Sequence, residues 1–187
     1  MVKISRKKIT FKCLRCGRCC KNLLKNVGGI LLGLGLMPQE RKFFPTELVS
    51  PQAGIGLAEN DPTKPKHILT YQLNVKHCPH LSENGCKIYE NRPLSCRGFP
   101  LISMGNYGTT IAEPSDCFFV ERIEAKIGSL NVLLPLTPKR FRAPSEWMAI
   151  RKWNRDFVVL LKRHIDDART FWNYDLKTGK WQTQMRV

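Results

Sequence analysis

Phe11-Lys12-Cys13-Leu14-Arg15-Cys16-Gly17-Arg18-Cys19-Cys20 places four of the chain's eight cysteines within one short stretch. Two-residue gaps let a turn aim two sulfurs at one ion, and amides in such turns donate hydrogen bonds to thiolates. Gly17 supplies the permissive backbone that this turn needs. Adjacent cysteines point apart on most backbones, so Cys19 and Cys20 are expected to diverge, one to a first site and the other to a second site or the core. Free cysteine is commonly buried as a small apolar side chain. Packing alone does not account for a group this tight, and the count favours metal or cluster binding.

The remaining cysteines are spread more widely, in Cys78-Pro79-His80-Leu81, Gly85-Cys86-Lys87-Ile88-Tyr89-Glu90, Arg92-Pro93-Leu94-Ser95-Cys96-Arg97-Gly98-Phe99-Pro100 and Cys117. No second zinc-ribbon knuckle is among them, so the fold has to assemble the ligands. The ligand set read from the sequence is Cys13, Cys16, Cys19, Cys20, Cys78, Cys86, Cys96 and Cys117, with only its residue type recommending Cys117. His77 and His80 flank Cys78 and read first as surface or supporting histidines. Arg92 and Arg97 read as buttresses, Tyr89 and Phe99 as core.

Composition bounds the classes. The 187 residues are 42% hydrophobic with nine Phe, four Trp and four Tyr, enough for a real core and too much for a disordered chain. Thirty-one Lys and Arg against fifteen Asp and Glu give a net charge of +16, which favours acidic partners. Residues 1–26 carry nine of those cations and no acid. No apolar segment follows the basic start as a secretory signal requires. The longest apolar run, Val27 to Met37, falls short of the roughly 20 residues of a membrane span. These readings predict a cytoplasmic protein whose thiols are reduced, catalytic or metal-bound rather than paired in disulfides.

Along the chain, Gly28 to Leu36 reads as a buried strand whose glycines let another backbone approach. Pro38 starts a short helix through Phe44 that Pro45 ends. Residues 45–66, with four prolines, read as a long irregular loop. His67 to Val75 is a predicted strand. Cys86 to Ser95 reads as a turn then a short helix, and Thr109 to Ala112 as a strand after a Gly105–Gly108 turn. Pro144-Ser145-Glu146 opens a long helix, with Ser145 among the cap candidates. Trp147, Ile150, Asn154, Phe157, Val158, Leu161, Ile165, Ala168 and Trp172 form its apolar stripe, with Asn154 the one polar member. Asp166 and Asp167 are placed on that helix, and Lys177 to Lys180 as a turn between two extended pieces. The expected architecture is α+β: a small irregular metal-centred domain of short strands and helices (residues 1–138), then a long C-terminal amphipathic helix with an extended tail packing on it (139–187).

Cys-x2-Cys-x2-Cys-Cys from Cys13, Cys-Pro-x-Leu from Cys78, Gly-Cys-x-Ile-Tyr-Glu-x-Arg-Pro from Gly85 and Cys-Arg-x-Phe-Pro from Cys96 together resemble the YkgJ-type cysteine-cluster family. The resemblance spans about Phe11 to Cys117. Members are described as zinc- or iron-chelating proteins and often as iron–sulfur oxidoreductases, so it implies a metallocentre. The flagellin lysine-methylase shares the cysteine motif, but no glycine-rich S-adenosylmethionine loop is evident here, and methylation is not carried over. Four cysteines saturate one zinc or one [4Fe–4S] cluster, and eight could serve two centres. The adjacency of Cys19 and Cys20 departs from the ferredoxin run. Either centre on four thiolates carries a net charge of about −2. Lys12, Arg15, Arg18, Lys21 and Arg97 would offset it, with Arg15, Arg18 and Arg97 assigned to the cofactor. The resemblance alone tilts the choice to iron–sulfur.

No nucleophile elbow, phosphate loop, dinucleotide fingerprint or His-Glu-x-x-His pair is present, and catalysis stays open between a redox role and none. Two functions are carried forward. One is a cysteine-cluster metal protein for electron transfer or metal handling, with a redox partner. The other is a zinc-stabilised nucleic-acid-binding module using the basic N-terminal segment and Lys139, Arg140, Arg142, Arg151, Lys152, Arg155, Lys162 and Arg163.

Overall fold

The computed structural model describes residues 9–103, 109–127 and 141–184. The early strands are β1 (Ile9–Thr10), β2 (Lys25–Val27), β3 (Ile30–Leu32), β4 (Leu34–Leu36), β5 (Val49–Ile55) and β6 (His67–Leu73). A hairpin of β7 (Leu81–Ser82) and β8 (Gly85–Cys86) precedes helix α1 (Leu94–Gly98), then β9 (Leu101–Ser103) and β10 (Thr109–Ile111). Helix α2 (Phe118–Ile127), β11 (Phe141–Arg142), helix α3 (Pro144–Lys162), β12 (Phe171–Asp175) and β13 (Lys180–Gln184) complete the chain. The fold is α+β. None of the described helices is long and apolar enough to cross a membrane.

The contacts divide the chain into two discontinuous units, residues 1–20 with 80–154, and residues 21–79 with 155–187. In the first, Leu101, Ile111, Val120, Phe141, Ala143 and Ile150 form a core that also contains Cys117. Trp147 on α3 packs on it and donates from Nε1 to the Phe141 carbonyl at 3.1 Å. Asn154, the polar member of the expected stripe, meets the Ser103 hydroxyl of β9 at 2.6 Å, which accounts for its polarity.

In the second unit, β13, β12, β5, β6 and β4 form an antiparallel sheet in that order. Gln72, fully buried on β6, accepts from the Gly33 amide and donates to the carbonyls of Pro51 and Tyr174, linking three segments. Buried Asp175 accepts from the amides of Leu31 and Lys177, the Thr178 hydroxyl and the Gln182 amide group. Phe157, Leu160 and Leu161, from the last part of α3, pack on Ile55, Leu69 and Ala168.

Several sequence expectations are corrected. Residues 28–36 are not one strand: Gly28 and Gly29, at φ 59° and 87°, turn a β2–β3 hairpin, with β4 following separately. The close backbone approach is real at Gly33, where a Cβ would run into the Leu73 carbonyl oxygen. Residues 45–66 are not wholly irregular, because Val49–Ile55 is a central strand. It tolerates Pro51 by shifting register between Pro51 and Ala53, so the ladder does not need the missing N–H.

The helical stripe overshoots. Helix α3 stops at Lys162, Val158 is 44% exposed, Ile165 and the Asp166–Asp167 pair fall in a 3-10 turn, and Trp172 belongs to β12. Trp172 is buried all the same, donating to the Gly56 carbonyl at 2.6 Å. Ser145 does not cap α3, since its hydroxyl goes to the Glu146 carboxylate. Helix α2 was not foreseen. The expected Gly105–Gly108 turn, Lys139 and Arg140 lie outside the described residues.

Candidate metal centre

Cys13 and Cys16 stand on an exposed loop between β1 and a 3-10 turn at Arg18–Cys20. Arg15, at φ 52°, and Gly17, at φ 69°, take left-handed backbone on either side of Cys16 and wind the chain tightly round it. Gly17 also leaves room for Leu81 of β7, whose Cδ1 lies 2.8 Å from where a Cβ would stand. Cys86 is directly across the hairpin from Leu81, so its side chain shares the face that meets the loop. Gly85, at φ 97°, presents its backbone to that of Arg15, and the Ser82 hydroxyl braces the turn by donating to the Gly85 carbonyl at 2.8 Å.

Two aromatic contacts fasten the loop. Phe11, two residues before Cys13, packs edge-on against Phe119, two residues after Cys117, with ring centroids 5.0 Å apart. The Arg15 and Arg92 guanidiniums lie over the Tyr89 ring at 4.2 and 3.7 Å. Arg92 Nε also donates to the Tyr89 carbonyl at 2.8 Å. Tyr89 is thus held by two cations rather than being simple core, and the segment between Cys86 and Cys96 is tied to the Cys13–Cys16 turn.

Cys117 is buried at the start of α2, where Glu121 N–H bonds to its carbonyl at 3.0 Å. Burial pushes its thiol pKa up. The Val120 and Phe119 amides, donating to the sulfur, oppose that, and the charges of Cys16 and Cys13 push it up further. Both sulfurs are therefore within electrostatic reach of Cys117. Cys117, given backbone N–H donors, and the exposed cysteines of the loop packed on its helix are all sulfur donors of the kind zinc and iron–sulfur centres take, so the donor set fits such a group. Among the described residues no three His, Cys, Asp or Glu side chains are arranged to hold a metal ion.

The other expected residues are placed as follows. Cys19 and Cys20 do not diverge: the 3-10 turn sets their sulfurs 4.0 Å apart in a direct contact. Cys96 is half-buried on α1. Cys78 belongs to the other unit, near its end at Pro79, with His77 exposed beside it and His80 opening the return to the first unit. None of the eight is in a disulfide. Arg18 reaches Glu121 and the Pro114 carbonyl, while Arg97 is exposed on α1. Sequence reading missed Glu121 and α2, although Phe119, Val120, Ile123 and Ile127 carry a helical apolar spacing that could have found both.

No curated protein and no solved structure matches the chain. Residues 12–118 match the family model described as "CxxCxxCC: Putative zinc- or iron-chelating domain". The match covers more than half of the sequence and spans every cysteine from Cys13 to Cys117. The chain belongs to the CxxCxxCC family, whose described function is zinc or iron chelation.

Proposed function

We propose that the chain holds zinc or an iron–sulfur cluster on thiolates of Cys13, Cys16 and Cys117, with Cys86 of the facing hairpin as the fourth, and serves metal handling or electron transfer. The observation that carries this reading is the family match over residues 12–118, which spans these cysteines, beside the packing of the Cys13–Cys16 loop on α2 through Phe11 with Phe119 and Arg18 with Glu121. Cys19, Cys20 and Cys96 offer further sulfurs in the same unit. Metal binding and local folding are coupled, because capturing the ligands stabilises the structure that assembles them. When bound, zinc would supply a fixed tetrahedral anchor, and a cluster would supply a one-electron redox centre. The chain's own residues shelter Cys117 and donate N–H bonds to its sulfur. A cytoplasmic setting belongs to the proposal, because thiolate ligands persist in a reducing compartment.

Anaerobic purification followed by iron, zinc and acid-labile sulfide analysis tests it. Iron with matching sulfide identifies a cluster, and zinc in a colourless sample identifies a zinc site. Neither metal in stoichiometric amount, from cells supplied with both, overturns the reading.

One observation favours a second reading, nucleic-acid binding. Arg151, Lys152, Arg155 and Lys162 are all exposed on α3, and Arg151 and Arg155 are one turn apart. Titration with RNA and DNA at low and physiological salt decides it, with absence of salt-sensitive affinity against it.

A further inference from the structure

We propose that Arg18 is a positioning residue for the metal centre, holding Cys117 in place against the Cys13–Cys16 turn without touching metal. This rests on the metal reading above. Arg18 lies in the cysteine loop, two residues after Cys16. Its Nη1 donates to Glu121 Oε2 at 2.6 Å and to the Pro114 carbonyl at 3.3 Å, and its guanidinium carbon sits 5.2 Å from the centre of the Phe118 ring. All three contacts bracket Cys117. Pro114 opens the 3-10 turn that leads into it, and the Cys117 amide bonds to the Pro114 carbonyl at 3.2 Å. Phe118 follows it, and the Glu121 amide closes the first turn of α2 on its carbonyl.

A single side chain from the loop therefore grips the segment before Cys117, the residue after it and the turn it starts. Phe11 on Phe119 does the same with apolar surface from the other end of the loop. The two anchors enclose the Cys13–Cys16 turn, so its separation from Cys117 is fixed at both ends. The Arg18–Glu121 pair is 36% and 49% exposed, and ion pairs so exposed contribute little to folding. Its effect is on where the sulfurs stand, and losing a group that orients metal ligands costs about 10- to 100-fold in metal affinity.

Cobalt(II) titration of the full-length, metal-free, reduced protein reads this directly, because the thiolate-to-cobalt charge-transfer band reports how many sulfurs bind. Arg18→Gln and Glu121→Gln are each expected to weaken cobalt affinity about 10-fold and lower that band, with metal-free melting temperatures near that of the unaltered protein. The charge reversal Arg18→Glu with Glu121→Arg should recover affinity over either single reversal. Added to Cys117→Ser, Arg18→Gln should cost little more, since it acts through that sulfur. Full affinity and a full band in Arg18→Gln overturn the proposal. So does an Arg18→Gln penalty that is undiminished in the Cys117→Ser background. Failure of the unaltered protein to take cobalt onto thiolates would instead remove the zinc form of the metal reading, and this inference with it.

Discussion

Cys117 shows how residue type, burial and neighbours combine into a function. In the sequence it is one thiol far from the others, recommended only by being cysteine. In the fold it is buried at the start of a helix, and the Phe119 and Val120 amides donate to its sulfur while Cys13 and Cys16 act on it from the loop. The thiol packs in the core, and the two amides on its sulfur are what suit it to be a ligand as well. Cys117→Ser is expected to lower metal affinity by more than the roughly 100-fold upper range of outer supporting groups, as measured by chelator competition. Binding equal to the unaltered protein would place Cys117 outside the centre. The cysteine loop was legible because its spacing is local, and Gly17 was legible because a turn needs it. The roles of Tyr89, Arg92 and Glu121 were not, because each depends on a partner far away in the chain.

Elements were legible where their cause is local. The strand from His67 and the helix from Pro144 follow from β-branched composition and from apolar spacing respectively. The end of α3 was not legible, because apolar residues continue in helical rhythm past Lys162 while the chain turns into β12 and buries Trp172 there by other means. The difference is testable within the old stripe. Ile150→Ala, at a 4% exposed position packed against Gly98, is expected to cost about 2–5 kcal/mol. Val158→Ala, at a position 44% exposed, should stay within about 0.5 kcal/mol. Thermal or denaturant unfolding separates the two, and equal costs would contradict the observed helix orientation. The end of β12 carries its own pH dependence. Burial raises the Asp175 carboxyl, but the amides of Lys177 and Leu31 and the Thr178 hydroxyl outweigh it and hold its pKa below the ordinary value. A depressed folded pKa stabilises above the unfolded value of about 3.9, and the contribution is lost as pH falls through the lower folded value. Asp175→Asn should therefore lose stability at neutral pH and show a shallower decline in acid, measured by unfolding between neutral pH and the acid limb.

At the scale of the whole molecule, the chain leaves the first unit at residue 20, lays down three strands of a five-stranded sheet, returns at residue 80, and adds the other two strands after residue 155. A linear reading assigns neighbours in sequence to one body, so a discontinuous path of this kind has no signature in composition or periodicity. What the sequence did carry was the inventory: eight cysteines, a +16 charge and an apolar content sufficient for a core. The fold adds that the loop carrying Cys13 and Cys16 packs on the helix that follows Cys117, all within the first unit. It also separates the charge from the sulfurs in part, since Arg18 is engaged with Glu121 and Arg15 with Tyr89. The central claim is thiolate ligation of a metal by this chain. X-ray absorption at the iron or zinc edge, on protein purified without oxygen, tests it most directly. The account predicts a shell of sulfur neighbours at about 2.3 Å, diminished in Cys117→Ser. A shell of oxygen or nitrogen alone, unchanged by that substitution, would contradict it.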